Sequence, residues 1–143
     1  MKVVIGGAFN GKRKFVEDYL LQIHVSEYTI FDGVFPTEKS ISSKKYIVIT
    51  NFEKIILSHF TLGEDEIVQR IMEKLSLLHT QTEIICICND IGRGVVPIHK
   101  DERKLRDTCG RLYQKLFQES DTVIRVWYGI PELLKGKYES GQE

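Results

Sequence analysis

The sequence predicts an α/β domain with a mostly parallel sheet, and three observations carry that expectation. Short β-branched runs alternate with segments whose apolar residues recur at helical spacing. The strongest runs, residues 46–50 and 83–88, are continuously apolar rather than alternating, as strands covered on both faces are. A chain of 143 residues, 42% hydrophobic and 28% charged, is sized for one domain over 1–143 around one core.

Residues 2–5 read as a first strand that closes at Gly6-Gly7, and the next segment sets Phe15, Val16, Tyr19, Leu20 and Ile23 on one helical stripe. Residues 28–31 form a second strand, closed by Asp32-Gly33, and the polar stretch 36–45 reads as a loop. Residues 46–50 are a buried strand, after which Asn51 and Phe52 leave the sheet. Ile67, Val68, Ile71, Met72, Leu75 and Leu78 make the clearest helical stripe, with Thr61 or the group Glu64-Asp65-Glu66 suiting its positive end. Residues 83–88 are the strongest strand, leading through Asn89-Asp90 into a Gly-rich turn over 91–97. Asp101 is placed to cap a helix bearing Leu105, Cys109, Leu112, Leu116 and Phe117. Residues 121–128 read as the last strand, Gly129-Ile130-Pro131 as its end, and the tail from Lys135 as polar and frayed. The result is three layers, α/β/α, with roughly five mainly parallel strands.

Twenty Lys plus Arg balance twenty Asp plus Glu, so no global charge draws the chain to nucleic acid or a membrane surface. An anion must be held by a local site. No apolar run approaches the ~18 residues of a membrane span, and the opening residues do not read as a signal peptide, so the expected compartment is the cytoplasm. Three Cys do not make a disulfide framework. Cys86 and Cys88, expected on opposite faces of their strand, read as core thiols, as does Cys109. His79 and His99 lack ligand-spaced partners and read as surface residues, so no metal site is expected. Trp127 and Tyr128 sit in the last strand, where burial is expected unless one of them lines the crevice.

The sharpest local signal is Gly6-Gly7-Ala8-Phe9-Asn10-Gly11-Lys12-Arg13, with the Gly-x4-Gly-Lys spacing of a phosphate-binding loop between a strand and a helix. Inward-facing N–H groups, the helix N-terminus and the Lys amine together hold phosphates without net charge. The residue after the Lys is Arg13 rather than the Ser or Thr whose hydroxyl ligates Mg²⁺, which argues against a magnesium ion held by this loop. Lys14 adds a charge that could partly stand in for the ion. Asn89 and Asp90 follow the strongest strand, at the sheet edge where open α/β folds place their ligand crevice.

Three blocks give the chain a family resemblance: Ile5-Gly6-Gly7-Ala8 with Gly11-Lys12; Asn89-Asp90-Ile91-Gly92-x-Gly94-Val95-Val96-Pro97; and the run from Leu105-Arg106-Asp107 through Gly110 to Gln114. With the closing strand 121–128, these resemble the adenosylcobinamide kinase / adenosylcobinamide-phosphate guanylyltransferase family. The resemblance implies a phosphate-loop fold, with GTP or ATP as substrate and cobinamide as acceptor. Carried over, it implies phosphate binding by Gly7, Asn10, Gly11 and Lys12, with Asn89 and Asp90 beside the reacting groups; the loop spacing adds Gly6, Ala8, Phe9 and Arg13 to the nucleotide-binding set, Lys12 and Asp90 are the catalytic candidates, and a homo-oligomer is left open. Arg106 and Asp107 read equally as an intrahelical pair.

The chain departs from the family where a nucleotidyl-accepting His should stand, since residues 26–45 contain none and His24 and His59 only flank them. The strand that should end in a metal-supporting acid ends at Thr50-Asn51, with Glu53 the nearest carboxylate. These departures argue against guanylyl transfer and leave phosphoryl transfer to cobinamide as the leading reading. A homologue kept for binding or regulation is the alternative.

Overall fold

The computed structural model describes residues 1–7, 10–41, 45–90 and 99–137. Ala8, Phe9, the Gly-rich turn over 91–97 and the end of the tail lie outside the described residues. In chain order the elements are β1 (Lys2–Gly6), α1 (Lys12–Gln22), β2 (Tyr28–Asp32), α2 (Glu38–Ile41), β3 (Tyr46–Thr50), α3 (Phe52–Leu57), α4 (Glu64–His79), β4 (Glu83–Asn89), α5 (Lys100–Glu119), β5 (Thr122–Trp127) and β6 (Ile130–Lys135).

The strands form one sheet in the order β2-β3-β4-β1-β5-β6. All neighbours are parallel except β5 and β6, which pair antiparallel. β1 lies between β4 and β5, so Gly6 emerges beside Asn89. The connection from β4 to β5 crosses over β1, which places the ends of β1, β4 and β5 around one crevice.

Strand periodicity separates two cores. Val3, Ile47, Ile49, Ile84, Cys86, Cys88 and Val123 face α3, α4 and α5. Val4, Val48, Ile85, Ile87, Ile124 and Val126 face α1 through Val16, Tyr19 and Leu20. The architecture is the expected three-layer α/β/α of the phosphate-loop type. Cys86 and Cys88 lie on the same face, contrary to expectation, because residues i and i+2 of a strand point the same way. All three Cys are buried free thiols.

Other expectations are corrected at the edges. The stretch 36–45 contains α2, a single turn whose Ile41 is fully buried against the larger core. Asn51 does more than end β3: at φ 62° it caps α3, its side chain accepting from the Lys54 N–H at 3.3 Å. Gly63, not Thr61, precedes α4, whose first turn does carry Glu64, Asp65 and Glu66. His99 precedes α5, so Asp101 lies inside its first turn and contributes charge there rather than a cap. The strand over 121–128 is not the last. Tyr128 and Gly129 make a two-residue turn with positive φ at both positions, 48° and 79°, as a type I′ hairpin requires. The chain then returns as β6, where Pro131 is tolerated because the strand is an edge.

Candidate functional site

The phosphate-loop candidate is assembled by backbone fit. A Cβ on Gly6 would stand 2.3 Å from the Val126 carbonyl oxygen, so only glycine lets β1 end this close to β5. Gly11 begins α1 at φ 86°, in the left-handed region, and its carbonyl accepts from the Phe15 N–H at 3.0 Å. Asn10 is tied to the hairpin, its carbonyl accepting from the Gly129 N–H at 2.8 Å. Lys12 is 7% exposed and its Nζ donates to the Gly7 carbonyl at 2.6 Å. Thus Gly6, Gly7, Asn10, Gly11 and Lys12 lie close together where β1 gives way to α1.

Arg13 and Lys14 turn outward. Arg13 Nε lies 3.5 Å from Glu17 and Lys14 Nζ 3.1 Å from Asp18, both exposed i,i+4 pairs on α1. Such pairs contribute little. Arg13 and Lys14 also border the recess shared by Lys12 and Asn89.

Beneath the loop, Asn89 Nδ2 donates to Glu53 Oε2 at 3.2 Å, and the Tyr113 hydroxyl donates to Glu53 Oε1 at 3.5 Å. Burial lowers the pKa of Lys12 from 10.5, while the charges of Glu53 and Cys88 pull it back up. Burial likewise pushes the Tyr113 hydroxyl up, with Cys88, Cys109 and Glu53 adding to it. Sequence reasoning noted Glu53 only as the nearest carboxylate and did not single out Tyr113, which is four residues beyond Cys109 on the same helix stripe. Lys12 and Asn89 line a recess of about 250 Å³ with Asn10, Gly11, Thr50 and Ile87.

A second cleft, about 360 Å³, opens on the other side of the loop, lined by Gly6, Gly7, Asn10, Asp90, Arg125 and Trp127. The Asp90 N–H donates to the Gly6 carbonyl at 2.9 Å. Consecutive residues therefore serve different recesses, Asn89 with Lys12 and Asp90 with Trp127. Trp127 is 64% exposed and Tyr128 76%, so the expected burial of these rings is corrected: they lie past the point where helices cover β5. A groove of about 650 Å³ between α4 and α5, lined by Asp65, Val68, Met72 and Arg111 among others, is remote from the loop. Arg106 and Asp107 form the expected pair, at 3.3 Å.

Arg13 stands where the hydroxyl should, β3 ends in Thr50, and among the described residues no group of three or more His, Cys, Asp or Glu could hold a metal. His24, His79 and His99 are exposed. Among the described residues, no helix is long and apolar enough to cross a membrane.

In structure, the chain is similar to the flagellar accessory protein FlaH from Methanocaldococcus jannaschii, with a TM-score of 0.55 and 12% identity over 97% of this chain and 81% of that one. At that identity the likeness shows the fold alone. No curated protein matches the sequence. The family model described as cobinamide kinase / cobinamide phosphate guanyltransferase matches residues 34–134, well over half of the chain. That span holds Glu53, Asn89, Asp90, Tyr113, Arg125 and Trp127, while the loop precedes it. By this match the chain belongs to the cobinamide kinase / cobinamide phosphate guanyltransferase family.

Proposed function

We propose that this protein binds a nucleoside triphosphate, GTP or ATP, with its phosphates over residues 6–12, and transfers the terminal phosphoryl group to a hydroxyl of cobinamide. The observation that carries the reading is Lys12, a buried ammonium held at 2.6 Å on the loop's own Gly7 carbonyl, within reach of any anion the loop wraps. In the transfer, the acceptor oxygen forms a bond to the terminal phosphorus as the bond to the bridging oxygen breaks. The acceptor proton passes to the Asp90 carboxylate, and Lys12 offsets charge on the phosphoryl oxygens. Guanylyl transfer is not proposed, because residues 26–45 offer no His to carry the nucleotide.

A second reading is supported by Arg13 and Thr50, which replace the groups that would support a metal in the same site. Here the fold binds nucleotide as a regulatory or binding homologue without turnover. Calorimetric titration with GTP and ATP, with and without Mg²⁺, followed by assay with cobinamide, separates the two. Binding lost in Lys12→Ala together with phosphorylated cobinamide supports the first; the same binding without product supports the second. Absence of binding to either nucleotide overturns both.

A further inference from the structure

The hairpin β5–β6 is attached to the phosphate loop, and this gives its exposed aromatic residue a defined place. The Gly129 N–H bonds the Asn10 carbonyl at 2.8 Å, and Gly129 Cα packs 3.4 Å from where a Cβ on Gly11 would lie. The type I′ turn sets Trp127 directly opposite Ile130 in the antiparallel register. Two pairs further along, Arg125 faces Glu132 and is ion-paired to it. Arg125 and Trp127 share a face of β5 by strand periodicity, and both line the cleft beside Gly6, Gly7 and Asn10. Two anchors orient that cleft along the loop: Asp90 is bound to Gly6 at the loop's start, and the hairpin is bound to Asn10 near its end.

A large aromatic ring left 64% exposed on a short, braced turn is a flat apolar surface with a fixed location. What lies next to it is a loop built for phosphates. We propose that this cleft is a nucleobase subsite, in which the purine of a bound nucleoside triphosphate stacks on the indole of Trp127 while its phosphates occupy the loop. The terminal phosphate then lies toward Lys12, with Asp90 at the Gly6 end of the cleft and the base at the hairpin end. Stacking tolerates any base because every base has a π face, so Trp127 supplies affinity for nucleotide over bare polyphosphate rather than a choice between GTP and ATP.

This inference rests on the proposed triphosphate site, and its test keeps the two apart. Trp127 is the single tryptophan of the chain, so its fluorescence reports on this cleft alone. GTP, ATP and inorganic tripolyphosphate are titrated against the wild type, Trp127→Leu, Trp127→Phe and Lys12→Ala, with affinities by equilibrium dialysis and fluorescence read in parallel. The expected result is quenching by GTP and ATP but not by tripolyphosphate. Trp127→Leu should weaken both nucleotides about ten-fold, Trp127→Phe should recover part of that loss, and tripolyphosphate affinity should stay within about two-fold. Nucleotide binding that needs Lys12 but neither quenches nor responds to Trp127→Leu overturns the base subsite and leaves the phosphate site standing. If neither nucleotide nor tripolyphosphate binding depends on Lys12, the phosphate site is wrong and this inference falls with it. Since Trp127 is largely exposed, circular dichroism melts of both Trp variants should match the wild type.

Discussion

Glu53 and Asn89, 36 residues apart in the chain, meet beside the loop between β1 and α1 through a 3.2 Å bond from Asn89 Nδ2 to Glu53 Oε2. The contact joins the first turn of α3 to the end of β4, and Tyr113 adds α5 from the other side. It also fixes which end of the Asn89 amide is available, because a carboxylate only accepts and so takes the NH₂. The Asn89 carbonyl oxygen is left for the recess it shares with Lys12.

Glu53→Ala should therefore destabilise the protein through the partners it strands. Asn89 and Tyr113 each lose an acceptor in a half-buried setting, and the expected cost is about 1–3 kcal/mol. Glu53→Gln keeps an acceptor and should cost less. Urea unfolding of both variants, together with the double mutant Glu53→Ala/Asn89→Ala, measures this; the pair should couple by about 0.5–2 kcal/mol, and strict additivity would mean the bond contributes nothing.

Lys12 gives a pH signature. Its folded pKa lies below 10.5, chiefly through burial. Between that lowered value and 10.5 the unfolded chain holds a proton that the folded chain has released, so this residue's contribution to stability rises with pH across the window. Anion affinity runs the other way, because deprotonation removes the charge that phosphate needs. Tripolyphosphate affinity should weaken as pH approaches 10.5 from below, and Lys12→Met should show weak affinity with no such slope. Equal slopes in both proteins would assign the titration to another group.

The three thiols predict a second, opposite dependence. Burial raises Cys86 and Cys109 to about 12 from 9.0 and drives Cys88 well above 9.0. Their folded pKa values lie above the unfolded ones, so this contribution is complete below pH 9 and is lost as pH rises from 9 towards 12, where the unfolded chain sheds protons first. Native protein at about pH 8 should show no rapidly reacting thiol towards a disulfide reagent, and three after denaturation. A fast-reacting thiol in the native state would place one of these Cys outside the core.

What was legible in the sequence follows from where burial is strongest. Residues 46–50 and 83–88 could be read as central strands because helices cover them on both sides, so tertiary packing and local composition agree. The stripe of α4 was clear for the same reason. The short helices were not legible: α2 and α3 are too brief for a period, although Asn51 followed by Phe52, Ile55 and Ile56 holds a cap and the i, i+3, i+4 spacing. In the site, the spacing of Gly6, Gly11 and Lys12 is local and was readable. The Glu53–Tyr113 contact joins residues 60 positions apart, and no local pattern announces it. The hairpin was missed because Tyr128 is a poor turn residue and Pro131 reads as a breaker, whereas a sheet edge accepts it.

That poor turn residue carries a final prediction. Tyr128 holds φ 48° without being glycine, a conformation that costs an L side chain about 1–2 kcal/mol. Its ring is 76% exposed and stands tilted against Trp127 at 5.7 Å, so little packing offsets the strain. Tyr128→Asn substitutes a residue that favours the left-handed region and should raise stability by about 0.5–1 kcal/mol in urea unfolding. Gly129→Ala, at φ 79°, should lower it by a similar or larger amount and loosen the bond to Asn10. The two substitutions therefore act in opposite directions on the same two-residue turn. If Tyr128→Asn destabilised the protein instead, the indole–phenol contact would outweigh the backbone strain, and the orientation of Trp127 beside the loop would depend on its neighbour's ring as well as on the turn.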